Sequence, residues 1–215
     1  YDGHALTLET DQMYAPYGIN RYDDAQNGGS KFTLSLSFKN HETNQKIADL
    51  QSAMVKFDEA IISAACENCQ LWFKKPMSRE ILEALYSPTL RLSRDKESGE
   101  IITKYPASIA IKIPVYEGKI SARTFDENRN KVTIDEESIV DWVPRRSTVK
   151  ALIRFNGIWI AGGKFGAMWR LAAGQVTPPQ VDDQFCFRDL EDQIMTDTTE
   201  KSAEPEGDSV FRCTN

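Results

Sequence analysis

Histidine is almost missing from this chain: His4 and His41 are its two histidines, and neither stands in a metal-ligand spacing. Cysteine occurs at 66, 69, 186 and 213. Cys66-Glu-Asn-Cys69 has the C-x-x-C spacing of a redox or zinc half-site. The other two cysteines lie far off in a polar tail, and no histidine cluster completes the set. No metal or cofactor is therefore expected, and reduced thiols in an intracellular setting are. No apolar run approaches the ~18 residues a membrane helix needs, and no basic-then-apolar signal opens the sequence, so neither membrane association nor secretion is indicated. The first residue is Tyr1, read here as an initiator segment processed or omitted. Enzyme signatures are missing too: there is no G-x-S-x-G, no H-E-x-x-H and no G-x-G-x-x-G. Ala161-Gly-Gly-Lys-Phe-Gly166 lacks the spacing of a phosphate loop and sits in a β-rich stretch instead of opening a helix. Binding, without catalysis, is the expected chemistry.

Negative charge is missing locally. The whole chain carries −6, yet from Trp142 to Val181 there is no Asp or Glu. That stretch holds Arg145, Arg146, Lys150, Arg154, Lys164 and Arg170 among Trp142, Phe155, Trp159, Phe165 and Trp169. The acids gather after it. Residues 181–215 carry ten acids against Arg188, Lys201 and Arg212, a net −7 that leaves the preceding body at +1. With 215 residues, 40% of them hydrophobic, the body is large enough for a real core.

The periodicities describe a β-rich α+β domain. Residues 1–30 read as an arm with one strand near Leu6–Leu8 and otherwise loop. In Lys31–Phe38 strict alternation turns Phe32, Leu34, Leu36 and Phe38 inward, the mark of a half-buried strand. From about Thr43 the step changes to three and four: Ile47, Leu50, Met54, Phe57, Ile61 and Ala65 make one stripe of a long amphipathic helix that covers a sheet. Trp72-Phe-Lys-Lys75 is a second cation and aromatic patch, and Ser78–Tyr86 a short helix with Ser78 as its N-cap. Ile109, Ile111 and Ile113 alternate in a strand, Glu117-Gly118 turns, and Asp126–Asn130 turns again. Lys112, Lys119 and Arg123 fall on the polar sides of these strands. Asp135–Asp141 reads as an acidic helical turn. Pro178-Pro179 marks a boundary, so the domain runs 31–180 and residues 181–215 form a disordered acidic tail.

The centre of the reading is Thr148–Phe155 and Ile158–Ile160 around Asn156-Gly157, a strong signal for a two-residue hairpin turn. A turn there pairs Phe155 with Ile158 and Arg154 with Trp159. It puts Val149, Ala151, Ile153, Phe155, Ile158 and Ile160 on the core face, with Lys150, Leu152, Arg154 and Trp159 outside. After Gly162-Gly163, Phe165, Ala167, Trp169 and Leu171 point one way, and Lys164, Met168 and Arg170 the other. Cations beside an exposed indole are what unpaired nucleic acid needs, phosphates meeting the charges and bases the ring. An ordinary solvated sheet face bearing one exposed Trp fits the same pattern.

The order strand, helix, charged loop, two hairpins and then Leu152-Ile-Arg-Phe-Asn-Gly-Ile-Trp-Ile-Ala-Gly-Gly-Lys-Phe-Gly-Ala-Met-Trp-Arg-Leu171 resembles the single-stranded-DNA-binding proteins of large nucleocytoplasmic DNA viruses, such as those of African swine fever virus and algal viruses. The resemblance covers about residues 32–177 and also rests on Ile111-Lys-Ile-Pro114 leading into Lys119, and on Phe125-Asp126. It implies an OB-type antiparallel β-barrel, no catalysis, and protection of unpaired DNA in replication, recombination or repair inside the host cytoplasm or nucleus or in the virion. The expected site is Lys150, Arg154, Trp159, Lys164, Arg170, Arg145, Arg146, Lys112, Lys119 and Arg123. Its expected ligand is single-stranded DNA, with RNA open, and the acidic tail would meet replication proteins. Unlike the tails of bacterial and phage single-strand binders, this one ends Val-Phe-Arg-Cys-Thr-Asn. Two other readings stay open: a virion or scaffold protein using the charged face for protein contacts, and a zinc-stabilised accessory built on Cys66 and Cys69.

Overall fold

The computed structural model describes residues 5–24, 29–95, 98–102 and 104–180. The expectation of a disordered acidic tail at 181–215 lies outside them. The N-terminal strands are β1 (Thr7–Glu9), β2 (Met13–Ala15), β3 (Ile19–Asp24) and β4 (Gly29–Ser37). Helices α1 (Gln45–Glu67), α2 (Cys69–Phe73) and α3 (Arg79–Leu85) follow. Then come β5 (Tyr86–Ser87), β6 (Leu90–Arg91), β7 (Ser108–Ile113), β8 (Val115–Tyr116), β9 (Lys119–Ile120), β10 (Arg123–Phe125) and β11 (Lys131–Val132). The chain ends its described part with α4 (Ile139–Trp142) and two long strands, β12 (Ser147–Ala161) and β13 (Lys164–Thr177).

Five of these strands close on themselves. β12 pairs with β2, β2 with β4, β4 with β7, β7 with β13, and β13 returns to β12. Every seam is antiparallel except β7–β13, which is parallel and registers Arg170 with Lys112. This is the expected OB-type barrel, and closure leaves its staves no free edge. Alternation supplies the interior: Phe32, Leu34, Leu36, Ile109, Ile111, Val149, Ala151, Ile153 and Leu171 are all buried in one cluster.

The N-terminal segment departs from the arm-and-loop reading of residues 1–30. Met13 and Ala15 are fully buried, and β2 is a barrel stave. Between β1 and β2 the Thr10 hydroxyl accepts from the Ala151 N–H at 2.9 Å, while the Thr10 N–H donates to the Ala151 carbonyl at 2.8 Å. One side chain thus carries the pairing with β12 across an irregular step. So short an interrupted stave leaves too little alternation to detect.

Helix α1 buries the stripe read from the sequence, with Asn44 capping it through bonds to the Lys46 and Ile47 amides. Its first half covers the barrel. Its second half, with α2 and α3, builds a separate cluster of Ile61, Ala65, Cys69, Leu82, Tyr86 and Phe165. Trp72 and Phe73 pack against that cluster, so the expected second aromatic patch is mostly structural.

The hairpin turn is displaced from its expected place. β12 runs straight through Asn156-Gly157, and the chain reverses at Gly162-Gly163, where Ala161 pairs with Lys164. Both glycines have positive φ, 58° and 76°, as a two-residue turn matching strand twist requires. At Asn156-Gly157 only the glycine does, at 96°, and the two residues face the single Met168 as a β-bulge. Phe155 therefore pairs with Trp169, and Trp159 with Gly166. The inward set holds through Ile153, and Phe155 and Ile158 pack half-buried against the core clusters, while Ile160, expected in the core, is 48% exposed near the tip.

Candidate nucleic-acid interface

With Ile153, Leu171, Ile111, Ile113 and Phe32 inside the barrel, the alternate residues Arg154, Arg170, Lys112 and Thr33 must face out. Strand register sets them side by side: Arg154 opposite Arg170, Arg170 opposite Lys112, Lys112 opposite Thr33. At ~4.8 Å between neighbouring strands, three cations fall within about 10 Å across the sheet. Among the described residues no carboxylate pairs with any of the three. Lys112 registers the crowding. Its ammonium is held below the usual lysine range, first by desolvation and then by the charges of Arg170, Lys31 and Arg91. Concentrated like charge on a rigid wall favours an anion laid across it.

A cleft opens on each side of this row. One is lined by Arg123, Arg154, Arg170, Asn156, Pro114 and Ser121. The other, of about 650 Å³, lies between β6 and the distal part of the β12–β13 hairpin, with Trp159, Arg91, Arg94 and Lys164 on its walls. It runs on past Ala110, Ala167 and Trp169 to Lys112 and Tyr22, which is 60% exposed. Trp159 can lie in that wall because its cross-strand partner is Gly166. A Cβ there would come within 3.1 Å of the indole nitrogen and 2.8 Å of the Ser87 carbonyl. Trp169 forms the floor, 2% exposed, its other side against Phe57 and Phe155 with ring centroids 5.3 and 5.6 Å away.

The β6 wall is fixed from behind. Asp58 on α1, itself buried, accepts from the Tyr86 hydroxyl at 2.7 Å and from the Thr89 amide at 2.8 Å. Burial first, and then this carboxylate, push the Tyr86 phenol far above its usual range, so the hydroxyl stays a donor. The bonds tie the segment just before Leu90–Arg91 to the helix. An apolar residue at 58 would leave three donors buried without partners.

Of the ten residues expected at the site, the structure gathers six: Arg154, Arg170, Lys112, Trp159, Lys164 and Arg123. Lys150 faces outward from β12 but pairs with Glu9 at 2.6 Å, and holds that carboxyl below its usual range. Arg145 and Arg146 lie in the turn before β12, where the Arg146 amide donates to Ala15. Trp159 is thirteen residues further on, roughly 40 Å of strand. Lys119 stands on the β8–β9 hairpin. Arg91, Arg94 and Tyr22 join the cleft without having been expected there. The alternation Leu90-Arg-Leu-Ser was the available signal for Arg91, in a strand too short to stand out, and Arg94, out of step with it, carried none. Among the described residues no group of three or more His, Cys, Asp or Glu could hold a metal ion, and the Cys69 thiol donates to the Lys75 carbonyl at 3.1 Å.

Comparisons with known proteins fall into three kinds. The model of a family described as "Family of unknown function (DUF5871)" matches residues 33–190. No curated protein matches the sequence. Solved structures with a similar fold include the single-stranded DNA-binding protein from bacteriophage Enc34 in complex with ssDNA, at TM-score 0.52 and 8% identity, covering 81% of this chain and 88% of that one. The same phage protein in another structure gives 0.51 and 10%, covering 87% and 89%. The single-stranded DNA binding protein gp2.5 of bacteriophage T7 gives 0.50 and 12%, covering 95% and 100%. At such identities the likeness is one of fold.

Proposed function

We propose that this chain, which belongs to the family of unknown function DUF5871, binds single-stranded DNA without catalysing a reaction on it. The observation that carries this reading is the row Arg154–Arg170–Lys112, in register across three strands, uncompensated by carboxylate among the described residues and flanked by the Trp159 cleft. A backbone lying across the row meets a cation on each strand, and an unpaired base beside it can stack on the indole. A duplex hides its bases, so the ring favours unpaired strands. The phage proteins of similar fold are single-strand binders by name, which supports the reading.

In its finer form the reading places the protein on unpaired strands exposed during replication, recombination or repair in a large nucleocytoplasmic DNA virus. It works there within the host cell's reducing interior, and the acidic 181–215 segment offers a docking element for replication proteins. The sequence resemblance and the segment's net −7 support this form. The test is a tryptophan fluorescence titration of the full chain with oligo-dT at low salt, repeated with duplex and RNA competitors. Saturable quenching, competed far better by unpaired DNA than by duplex, is expected. No quenching and no gel retardation would overturn the reading and leave a scaffold role for the charged face.

A further inference from the structure

The β8–β9 hairpin is a two-stranded sheet of its own, outside the barrel wall. Its turn residues Glu117 and Gly118 have φ of 49° and 72°, the tight reversal that holds two short strands in register. Register puts Val115 opposite Ile120 and Tyr116 opposite Lys119, so each pair shares a face. Val115 and Ile120 pack against the barrel core. Tyr116 and Lys119 are therefore turned out, and Tyr116 is 72% exposed, the highest value among the large apolar and aromatic side chains described. The base of the hairpin is closed by the Ser121 amide donating to the Pro114 carbonyl at 2.9 Å. Those two residues also line the cleft of Arg123, Arg154 and Arg170.

The hairpin thus rises from the rim of a basic cleft, through Pro114 and Ser121, and carries on its outer face an exposed aromatic ring directly beside an ammonium. We propose that Tyr116, with Lys119, is a second stacking platform for the single strand, at the opposite end of the cation row from Trp159. The proposal rests on the single-strand reading above. Placement supports it: the hairpin follows directly on the C-terminal end of β7, beyond Lys112, whereas Gly166, under Trp159, lies four residues before Arg170 on β13, about 13 Å back along that strand. Because β7 and β13 run parallel, the chain leaves β7 toward the hairpin at the end of the row away from Gly166. A strand bridging both rings crosses the whole row, a span within the 4–16 nucleotides or so that one OB barrel covers. The nearby acids do not cancel Lys119. Asp135, which bridges to it through the backbone, turns its carboxylate to the Ser138 hydroxyl at 2.6 Å and the Ser138 amide at 2.9 Å, and among the described residues makes no ion pair with Lys119. Glu117, at the turn, is the one acid of the hairpin.

The test compares full-length wild type, Tyr116→Ala and Tyr116→Phe against a series of oligo-dT lengths. In the wild type, affinity should keep rising with length until the strand reaches both rings. Tyr116→Ala should lose about fivefold or more on long strands, the low end for one stacked base, and almost nothing on the shortest strands that bind. Tyr116→Phe should keep the wild-type profile, because the ring matters and not its hydroxyl. If Tyr116→Ala follows the wild-type curve at every length, or loses equally at every length, the second platform is overturned while single-strand binding stands. If the wild type itself binds no oligonucleotide, the underlying reading fails instead.

Discussion

Trp159 and Trp169 flank the same cleft from opposite sides of the fold's logic, one as wall and one as floor. Trp159→Ala should weaken single-strand binding by about 1–3 kcal/mol, the scale of one lost base stack, and leave the melting temperature nearly unchanged; fluorescence-anisotropy titration beside a thermal melt reads both. Trp169→Ala removes a ring buried against Phe57 and Phe155 and should cost roughly 3–5 kcal/mol of stability in denaturant melts. Lys112 behaves differently again. Its folded-state pKa lies below that of an unfolded lysine, so in the window between the two the unfolded chain binds more protons and stability rises with pH. Lys112→Gln should abolish that alkaline gain in melts between neutral pH and about pH 10, where ordinary lysines begin to titrate. The same variant should be no less stable than wild type at neutral pH, while binding single strands more weakly. A variant destabilised at pH 7 would show the cation to be structural.

At the scale of elements, the β12–β13 hairpin carries most of the site, and its bulge aims it. Two residues facing one on the partner strand rotate everything beyond Phe155, turning the tip away from the barrel onto α1, α2 and α3. Gly157 holds that bulge at φ 96° with open space around it, so Gly157→Ala meets no clash, only backbone strain. It should cost about 1–3 kcal/mol in chemical denaturation. It should also reduce affinity, since Trp159 lies two residues further on. Unchanged stability would mean the strand reaches this geometry without a glycine. Asn156-Gly157 was legible as a special backbone position but not as a bulge. The same dipeptide serves both, and the alternative Gly162-Gly163 lies six residues on with equal turn chemistry. The strands of β4 and β7 and the helix stripe of α1 were readable because each is long and packs one face, so its period repeats. β2, β5 and β6 are two or three residues long and show no period at all.

For the whole molecule, charge placement matters more than charge count. The barrel's cations divide between those tied to acids, such as Lys150 with Glu9, and those facing one another, Arg154, Arg170 and Lys112. Neutralising Arg154 and Arg170 together should flatten the dependence of log affinity on log salt by about 1.4, at roughly 0.7 for each lost single-strand phosphate contact. Lys150→Gln should leave the slope almost unchanged. Equal slopes for the double variant and the wild type would remove the row from the interface. The sequence by itself determined the β-rich class, the inward faces of β4, β7, α1 and the first part of β12, and the basic, acid-free character of the last two strands. These follow from local periodicity and composition, which need no knowledge of distant neighbours. Only the tertiary structure decided which cations stand together. Arg170 meets Lys112 across a parallel seam between residues 58 positions apart, Arg91 reaches the cleft because Asp58 anchors the segment before it, and Lys150 finds its carboxylate on β1. Such pairings are set by barrel closure and by the register of non-neighbouring strands, and a one-residue slip in that register would send every one of these side chains to the other face.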